Sequence, residues 1–315
     1  MTVATSSAPQ AFPWQYQVAG IGLLAQSPLD HLPQCGEVTD GWRLLPRRGG
    51  AWPLPRRRVC LRQGRGHALF VGWPRLGTFW VCPRVRQLHY WLAPQASPEA
   101  FLDVLLGPMV SYLLLMEGYD PLHGSAVRVG RRAIGFLGPP GAGKSTLAAA
   151  LLLAGYGLVA DDLLTLVWQR QQPLVMPGYP EIRLWPGSGQ RLLPEAFTQL
   201  PRVVPTASKR RLDPRDVAAG FVTTALPLRV LYDLHRSTRL RRPAIRALSP
   251  SAAFLALVRN LYNTALVTPD ILTRQFRHLA QLSTRVPVRQ LLLPQRWVEP
   301  TRLAEIIVAD AQHVH

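Results

Sequence analysis

Ala133-Ile-Gly-Phe-Leu137, then Gly138-Pro139-Pro140-Gly141-Ala142-Gly143-Lys144-Ser145-Thr146, then a run of alanines and leucines up to Ala154, sets the fold class of this 315-residue chain. An apolar strand enters a glycine-rich turn, and a helix leaves it. The turn fits G-x-x-x-x-G-K-[ST], the phosphate-binding loop. Its chemistry demands these residue types. Glycines let backbone N–H groups converge on phosphate oxygens, a lysine reaches the outer phosphates, and a hydroxyl can ligate Mg²⁺. Pro139 and Pro140 carry no N–H, so the donors must come from Gly141, Ala142, Gly143, Lys144, Ser145 and Thr146. The helix that follows points its positive end at the anion. The structural alternative is a glycine turn that merely caps a helix. With Gly at about 7% of residues, a chance match in a chain of this length is roughly one in a hundred, and the strand–loop–helix context lowers it further. The expectation is a site for a nucleotide or another polyphosphate.

Working outward, the helix stops at Gly155, and residues 158–160 read as a buried strand ending in Asp161-Asp162, 17 positions beyond Ser145. That strand is expected to run beside the one that precedes the loop and to deliver two carboxylates near the phosphates. One can hold Mg²⁺, directly or through water, and the other can accept the proton of an attacking hydroxyl. An Asp pair that only caps a turn is the alternative. Residues 127–129 and 133–137 read as a hairpin turning at Gly130-Arg131, and residues 164–168 and 174–176 as another. Strands at 228–234 and 286–293 alternate with helices at roughly 251–266, 270–283 and 299–311. Such alternation argues for an α/β core.

Ahead of residue 120 the texture differs. Apolar bursts at 16–24, 68–72, 78–82 and 88–92, broken by Pro, Gly and Arg, read as strands, with a loop over 45–58 and a helix over 98–117. The expected organisation is a smaller β-rich α/β domain over residues 1–120 and a P-loop domain over residues 121–315.

Composition narrows the class. At 48% hydrophobic and 17% charged residues the chain can bury a sizeable core, which excludes wholesale disorder. Lys+Arg number 36 against 18 Asp+Glu, a net +18, yet only two of the 36, Lys144 and Lys209, are lysines, which leaves 34 arginines. No single site needs so many guanidiniums, so the skew is compositional and the two lysines draw attention. Basic runs at Arg47-Arg48, Arg56–Arg58 and Arg239–Arg242 attract polyanions in general. They lack interleaved aromatics and any nucleic-acid motif, so no specific nucleic-acid partner is expected. The 30 prolines imply many rigid turns and few long helices. Three cysteines without metal-ligand spacing exclude a disulfide scaffold. No signal peptide is read, and the longest apolar stretch, residues 105–116, is short of a bilayer. A cytoplasmic protein without a membrane segment is expected.

Three blocks in one order, His123-Gly124, the loop and Leu158-Val159-Ala160-Asp161-Asp162, resemble the HPr kinase/phosphorylase group and its divergent relatives, bacterial P-loop kinases. The resemblance covers about residues 120–185. It implies a core like the C-terminal domain of HPr kinase, with ATP and Mg²⁺ as cofactors. Asp162 would be the general base, with Asp161 beside it. His123 would lie near the phosphates, and Lys144 and Ser145 would be the phosphate and Mg²⁺ ligands on the Gly138–Thr146 loop. Glu181-Ile182-Arg183 is similar to the family's Glu-Ile-Arg, whose Glu ligands Mg²⁺. Lys209-Arg210-Arg211 can supply a cation to the transferred group as the family's active-site Arg does, or can be a solvated basic turn. The chain departs from the family after Arg183, with Leu-Trp-Pro-Gly-Ser, and in its C-terminal segment. Its Tyr16–Gly22 and Asp120–Val127 stretches look more like the HPr-kinase-like proteins near peptide-modification genes, some of which phosphorylate a serine of a precursor peptide. The implied acceptor is therefore a small protein or precursor peptide, and the implied assembly a homo-oligomer. A P-loop ATPase or GTPase switch, and a nucleotide-binding regulatory module without an acceptor, are the other classes.

Overall fold

The computed structural model describes residues 11–47, 60–262, 268–296 and 298–314. The chain forms a mixed α/β structure in two compact units, Met1–Leu102 and Asp103–His315. The units part ahead of the expected position near 120, so residues 103–116 group with the second unit.

The first unit is a seven-stranded sheet. It comprises β1 (Trp14–Val18), β2 (Ile21–Ala25), β3 (Gly41–Pro46), β4 (Cys60–Gln63), β5 (Leu69–Trp73), β6 (Gly77–Cys82) and β7 (Gln87–Leu92), in the order β1-β2-β3-β7-β6-β5-β4. The burst at 16–24, expected as one strand, is a hairpin. Ala19 (φ 53°) and Gly20 (φ 97°) form a two-residue left-handed turn whose twist matches the flanking strands. The segment expected as a loop over 45–58 begins inside β3, and its residues 48–59 lie outside the described residues, as do Arg48 and Arg56–Arg58 of the basic runs. On β7, His89 is only 3% exposed. Its Nδ1 accepts from Arg47 Nε at 2.8 Å, Nε2 faces Gln87 Oε1 at 3.1 Å, and the ring stacks on Trp80. Burial, with the Arg47 charge beside it, pulls its pKa down to about 4.

The helix expected over 98–117 is interrupted. α1 (Pro98–Val104) and α2 (Val110–Met116) are joined by a π-helical turn at Leu105–Met109. Pro108 inside that turn cannot donate to the ladder, so the helix widens there. Pro98–Met116 has the length and mean hydropathy (1.6) of a membrane span, longer than the apolar run counted above, but 72% of it is buried inside the protein, as in a core helix.

The second unit adds β8 (Leu122–Val129), β9 (Arg132–Leu137), α3 (Lys144–Leu153), β10 (Leu158–Ala160), β11 (Leu163–Leu164), β12 (Leu166–Gln169), β13 (Gln172–Val175), β14 (Ile182–Leu184), α4 (Pro186–Leu192), β15 (Arg210–Leu212), β16 (Leu226–Ser237), β17 (Ala244–Ala247), α5 (Pro250–Arg259), α6 (Pro269–Arg285), β18 (Val288–Pro294) and α7 (Pro300–His313). Its main sheet runs β10-β8-β9-β16-β13-β12. β11 is also paired with β8, and β18 pairs with β16 and β17. β9, β16 and β18 are parallel, so their C-terminal ends open on one edge. Ile134 and Phe136 of β9 face one apolar cluster with Leu147 and Leu151 of α3 and Ile307 of α7; Ala133 and Leu137 face another with Leu257 of α5 and Leu279 of α6. The sheet is thus covered by helices on both faces.

Two expectations change here. β10 does not run beside β9: β8 lies between them, because the β8–β9 hairpin already occupies that edge of β9. The helix expected over 251–266 ends at Arg259, and residues 263–267 lie outside the described residues. Long helices are few, as the prolines imply: of the α-helices in the described residues only α6, with 17 residues, and α7, with 14, exceed ten. The prolines also start helices, since α1, α4, α5, α6 and α7 each begin with one, where the missing N–H has no helical partner to lose.

Candidate active site

The loop between β9 and α3 needs its glycines. Gly138, Gly141 and Gly143 have φ of 140°, 82° and 109°, a region that side chains rarely adopt, and a Cβ on Gly138 would stand 2.9 Å from the Leu234 carbonyl oxygen. No side chain caps α3, so the first N–H groups of the helix stay open toward the loop. Lys144, only 6% exposed, crosses back over the loop and donates to Gly138 O at 2.7 Å and Pro139 O at 3.3 Å. Burial lowers its pKa, against the opposing pull of Asp161 and Asp162.

The Asp pair splits. Asp161, 3% exposed, lies behind the loop: its Oδ1 accepts from Ser125 Oγ at 2.6 Å and its Oδ2 from the Arg183 N–H at 3.3 Å, with the Ser145 side chain close by. Burial raises its pKa. Asp162 has φ 68°, a left-handed kink between β10 and β11, both of which pair with β8. The kink turns its carboxylate the other way, into the cleft. There Oδ1 lies 3.1 Å from His123 Nδ1, and Oδ2 accepts from Tyr262 OH at 3.3 Å. Burial works to raise the Asp162 pKa, but the His123 bond and the charges of His123, Arg183 and Lys209 outweigh it and hold the carboxyl below its usual range.

An open cleft of about 540 Å³ gathers these groups. Gly141, Gly143, Lys144, Ser145 and Thr146 line it on the loop side, with His123 and Asp162 on another wall and Arg183, Lys209 and Arg236 around it. Of the expected loop residues, Ala142 is buried beneath and Gly138 forms the base. The basic triplet resolves by register. Lys209 lines the cleft and lies 4.8 Å over the Trp185 ring, Arg210 packs on Phe197, and Arg211 approaches Glu181. Glu181 does not face the cleft: Arg183 Nε donates to its Oε1 at 2.6 Å, and Arg211 lies 3.9 Å from Oε2. Arg183 also pairs with Asp103. Both lysines of this arginine-rich chain line the same cleft.

Several groups at the site carried no signal in the sequence. Asn260, just past α5, accepts from the Gly138 N–H at 2.8 Å through Oδ1 and donates from Nδ2 to Ala256 O at 2.8 Å, while its carbonyl accepts from the His123 N–H at 2.7 Å. One buried residue therefore joins the glycine loop to the strand carrying His123. Tyr262, on the same exit, has its ring edge-on to His123, with centroids 5.7 Å apart. Burial, and then the Asp162 charge, raise its pKa, so it stays a neutral donor. Arg236 at the end of β16 lies 3.4 Å from where a Gly143 Cβ would be. Ser125 stood in plain view two positions after His123, but only the strand pairing brings it to Asp161.

No family model matches the chain, and no curated protein matches it. Among solved structures, the Hpr(Ser) kinase/phosphatase from Coxiella burnetii is similar over 61% of this chain and 94% of that chain, at 13% identity and a TM-score of 0.33.

Proposed function

We propose that this chain is an ATP- and Mg²⁺-dependent kinase that transfers the terminal phosphoryl group to a hydroxyl, a serine in the first instance, of a small protein or precursor peptide. The observation that carries this reading is the cleft itself. A glycine loop with its lysine faces a carboxylate–histidine pair, with further cations on the remaining walls.

The open N–H groups at the start of α3 and the Lys144 ammonium bind phosphate oxygens. Lys209, Arg183 and Arg236 add positive charge where the equatorial oxygens of the transferred group gather it. Asp162 orients the acceptor hydroxyl and takes its proton as the oxygen–phosphorus bond forms and the bond to the nucleoside diphosphate breaks. A carboxylate held at low pKa is ionised at neutral pH and is a weak base. That suffices, because phosphoryl transfer depends on positioning and charge neutralisation more than on proton abstraction. His123 and Tyr262 hold the two Asp162 oxygens in place.

The residues fit Mg²⁺. The Ser145 hydroxyl, with buried Asp161 close behind it, is a hard oxygen donor on the loop. Among the described residues no group of three or more His, Cys, Asp and Glu is arranged to hold a metal. That suits an ion which takes one or two protein oxygens and completes its shell with phosphate and water. Bound there, the ion would neutralise phosphate charge. Glu181 holds Arg183 rather than contributing to that set.

The test is incubation with Mg²⁺, γ-labelled ATP and extract from the source organism, beside the Asp162→Asn variant. Label on one small protein or peptide, lost with Asp162→Asn while nucleotide still binds, is the expected result. Free phosphate without a labelled acceptor would replace this reading with a hydrolytic switch. Bound nucleotide without turnover would replace it with a regulatory module.

A further inference from the structure

A second concavity, of about 470 Å³, lies where the β16–β17 turn meets the start of α7. Arg241 and Arg242 from the turn, Arg296 from the exit of β18 and Arg302 from the first turn of α7 bring four guanidiniums to it, against the one carboxylate of Glu299. Among the described residues none of the four is ion-paired with a carboxylate. Arg296 donates instead to the Arg241 carbonyl at 2.6 Å, which ties the turn to the β18 exit. Like charges gathered without partners repel one another, and an anionic ligand relieves that repulsion. Guanidiniums match carboxylates with paired, planar hydrogen bonds.

The shape narrows the ligand. Between the arginines the walls are apolar, from Pro243, Val298 and Ile306. A bounded pocket with apolar walls suits a peptide segment in which acidic and aliphatic residues alternate. A nucleic-acid backbone asks for an extended charged track and stacking platforms, which this pocket does not offer. The position is also informative. Val298 lines a small apolar slot beside Thr146, Leu147 and Arg236, so the pocket adjoins the flank of the phosphate loop.

We propose that this pocket docks an acidic, partly aliphatic segment of the phosphoryl acceptor, remote in sequence from the hydroxyl that reacts. The word acceptor rests on the kinase reading above; the binding of an acidic peptide does not. The test is fluorescence anisotropy, without nucleotide, using a short fluorescein-labelled peptide that alternates Asp or Glu with Leu. Its Asn/Gln counterpart and a single-stranded oligothymidylate of matched charge serve as competing probes. The acidic peptide should bind about tenfold or more tightly than its Asn/Gln counterpart. Arg241→Glu/Arg302→Glu should weaken it by about tenfold or more, since each reversal removes an attraction and adds a repulsion. Arg131→Glu/Arg277→Glu, an equal change of net charge at exposed positions elsewhere, should stay within about threefold. If the pocket reversal unfolds the protein, Arg241→Gln/Arg302→Gln carries the same test with a smaller expected loss. Equal losses in the pocket and control variants would reduce the effect to general attraction by a +18 chain and overturn the proposal. Tighter, pocket-dependent binding of the oligothymidylate would overturn it in favour of nucleic acid. Because no nucleotide is present, failure of the kinase reading leaves this result standing, and the reverse also holds.

Discussion

Asn260→Ala is the perturbation that tests how the site is held together. The side chain is 6% exposed and makes two hydrogen bonds, one from the Gly138 N–H and one to the Ala256 carbonyl, each 2.8 Å. Alanine leaves the Gly138 donor buried and unpaired, at a cost of about 1–3 kcal/mol, and removes a second bond with a net contribution of about 1 kcal/mol. The expected loss is therefore about 2–4 kcal/mol. For a urea slope of about 2–3 kcal/mol per molar this moves the unfolding midpoint down by about 1 M. The same change should reach the nucleotide. Gly138 opens the glycine loop, and on the proposed function part of the strain is relieved by letting the loop leave the conformation that would hold the nucleotide. If a tenth of the molecules keep a competent loop, affinity for MgATP falls about tenfold. Urea unfolding followed by tryptophan fluorescence and titration with a fluorescent ATP analogue measure the two quantities on one preparation. A lowered midpoint with unchanged affinity would refute the coupling and leave Asn260 as a helix-end residue only. If both were unchanged, the hydrogen-bond assignment itself would fail.

Lys144→Ala should weaken nucleotide binding by about ten- to a hundredfold, the worth of charge-assisted bonds to phosphate, with turnover falling in parallel; unchanged affinity by calorimetry would remove the loop from the site. The first unit should lose stability in mild acid. The His89 pKa is held at about 4 in the fold against 6.5 unfolded, so the unfolded chain takes up the proton first. Stability is full above about pH 6.5, declines as pH falls toward 4 and levels off below, by on the order of 3 kcal/mol at most. His89→Gln should flatten that part of the pH profile in urea unfolding, and an unaltered profile would exclude His89 as its source.

The strand–loop–helix of residues 133–153 was legible because its logic is local. Glycines at left-handed φ, a lysine and an uncapped helix start lie within a dozen positions, and nothing distant must be known to place them. The β8–β9 and β12–β13 hairpins were legible for the same reason, as were α6 and α7, whereas the short α4 at Pro186–Leu192 gave no signal. The sheet order was not. A three-residue strand such as β10 has no preference of its own for β8 over β9, and only the occupied edge of β9 decides.

What the sequence alone determined about this protein is therefore an α/β chain with a strand, a glycine loop and a helix in series, followed by a strand that ends in two carboxylates. Only the tertiary structure decided where those carboxylates point. A single left-handed residue at Asp162 sends one toward His123 and Tyr262 and leaves the other behind Ser145. It also decided that Lys209, rather than its two arginine neighbours, faces the loop, and that Glu181 is held by Arg183 and Arg211. The physical reason is range. Backbone conformation and helix starts are written in neighbouring residues, whereas the direction a charged side chain points is set by which strands pair and which groups are left for it to meet.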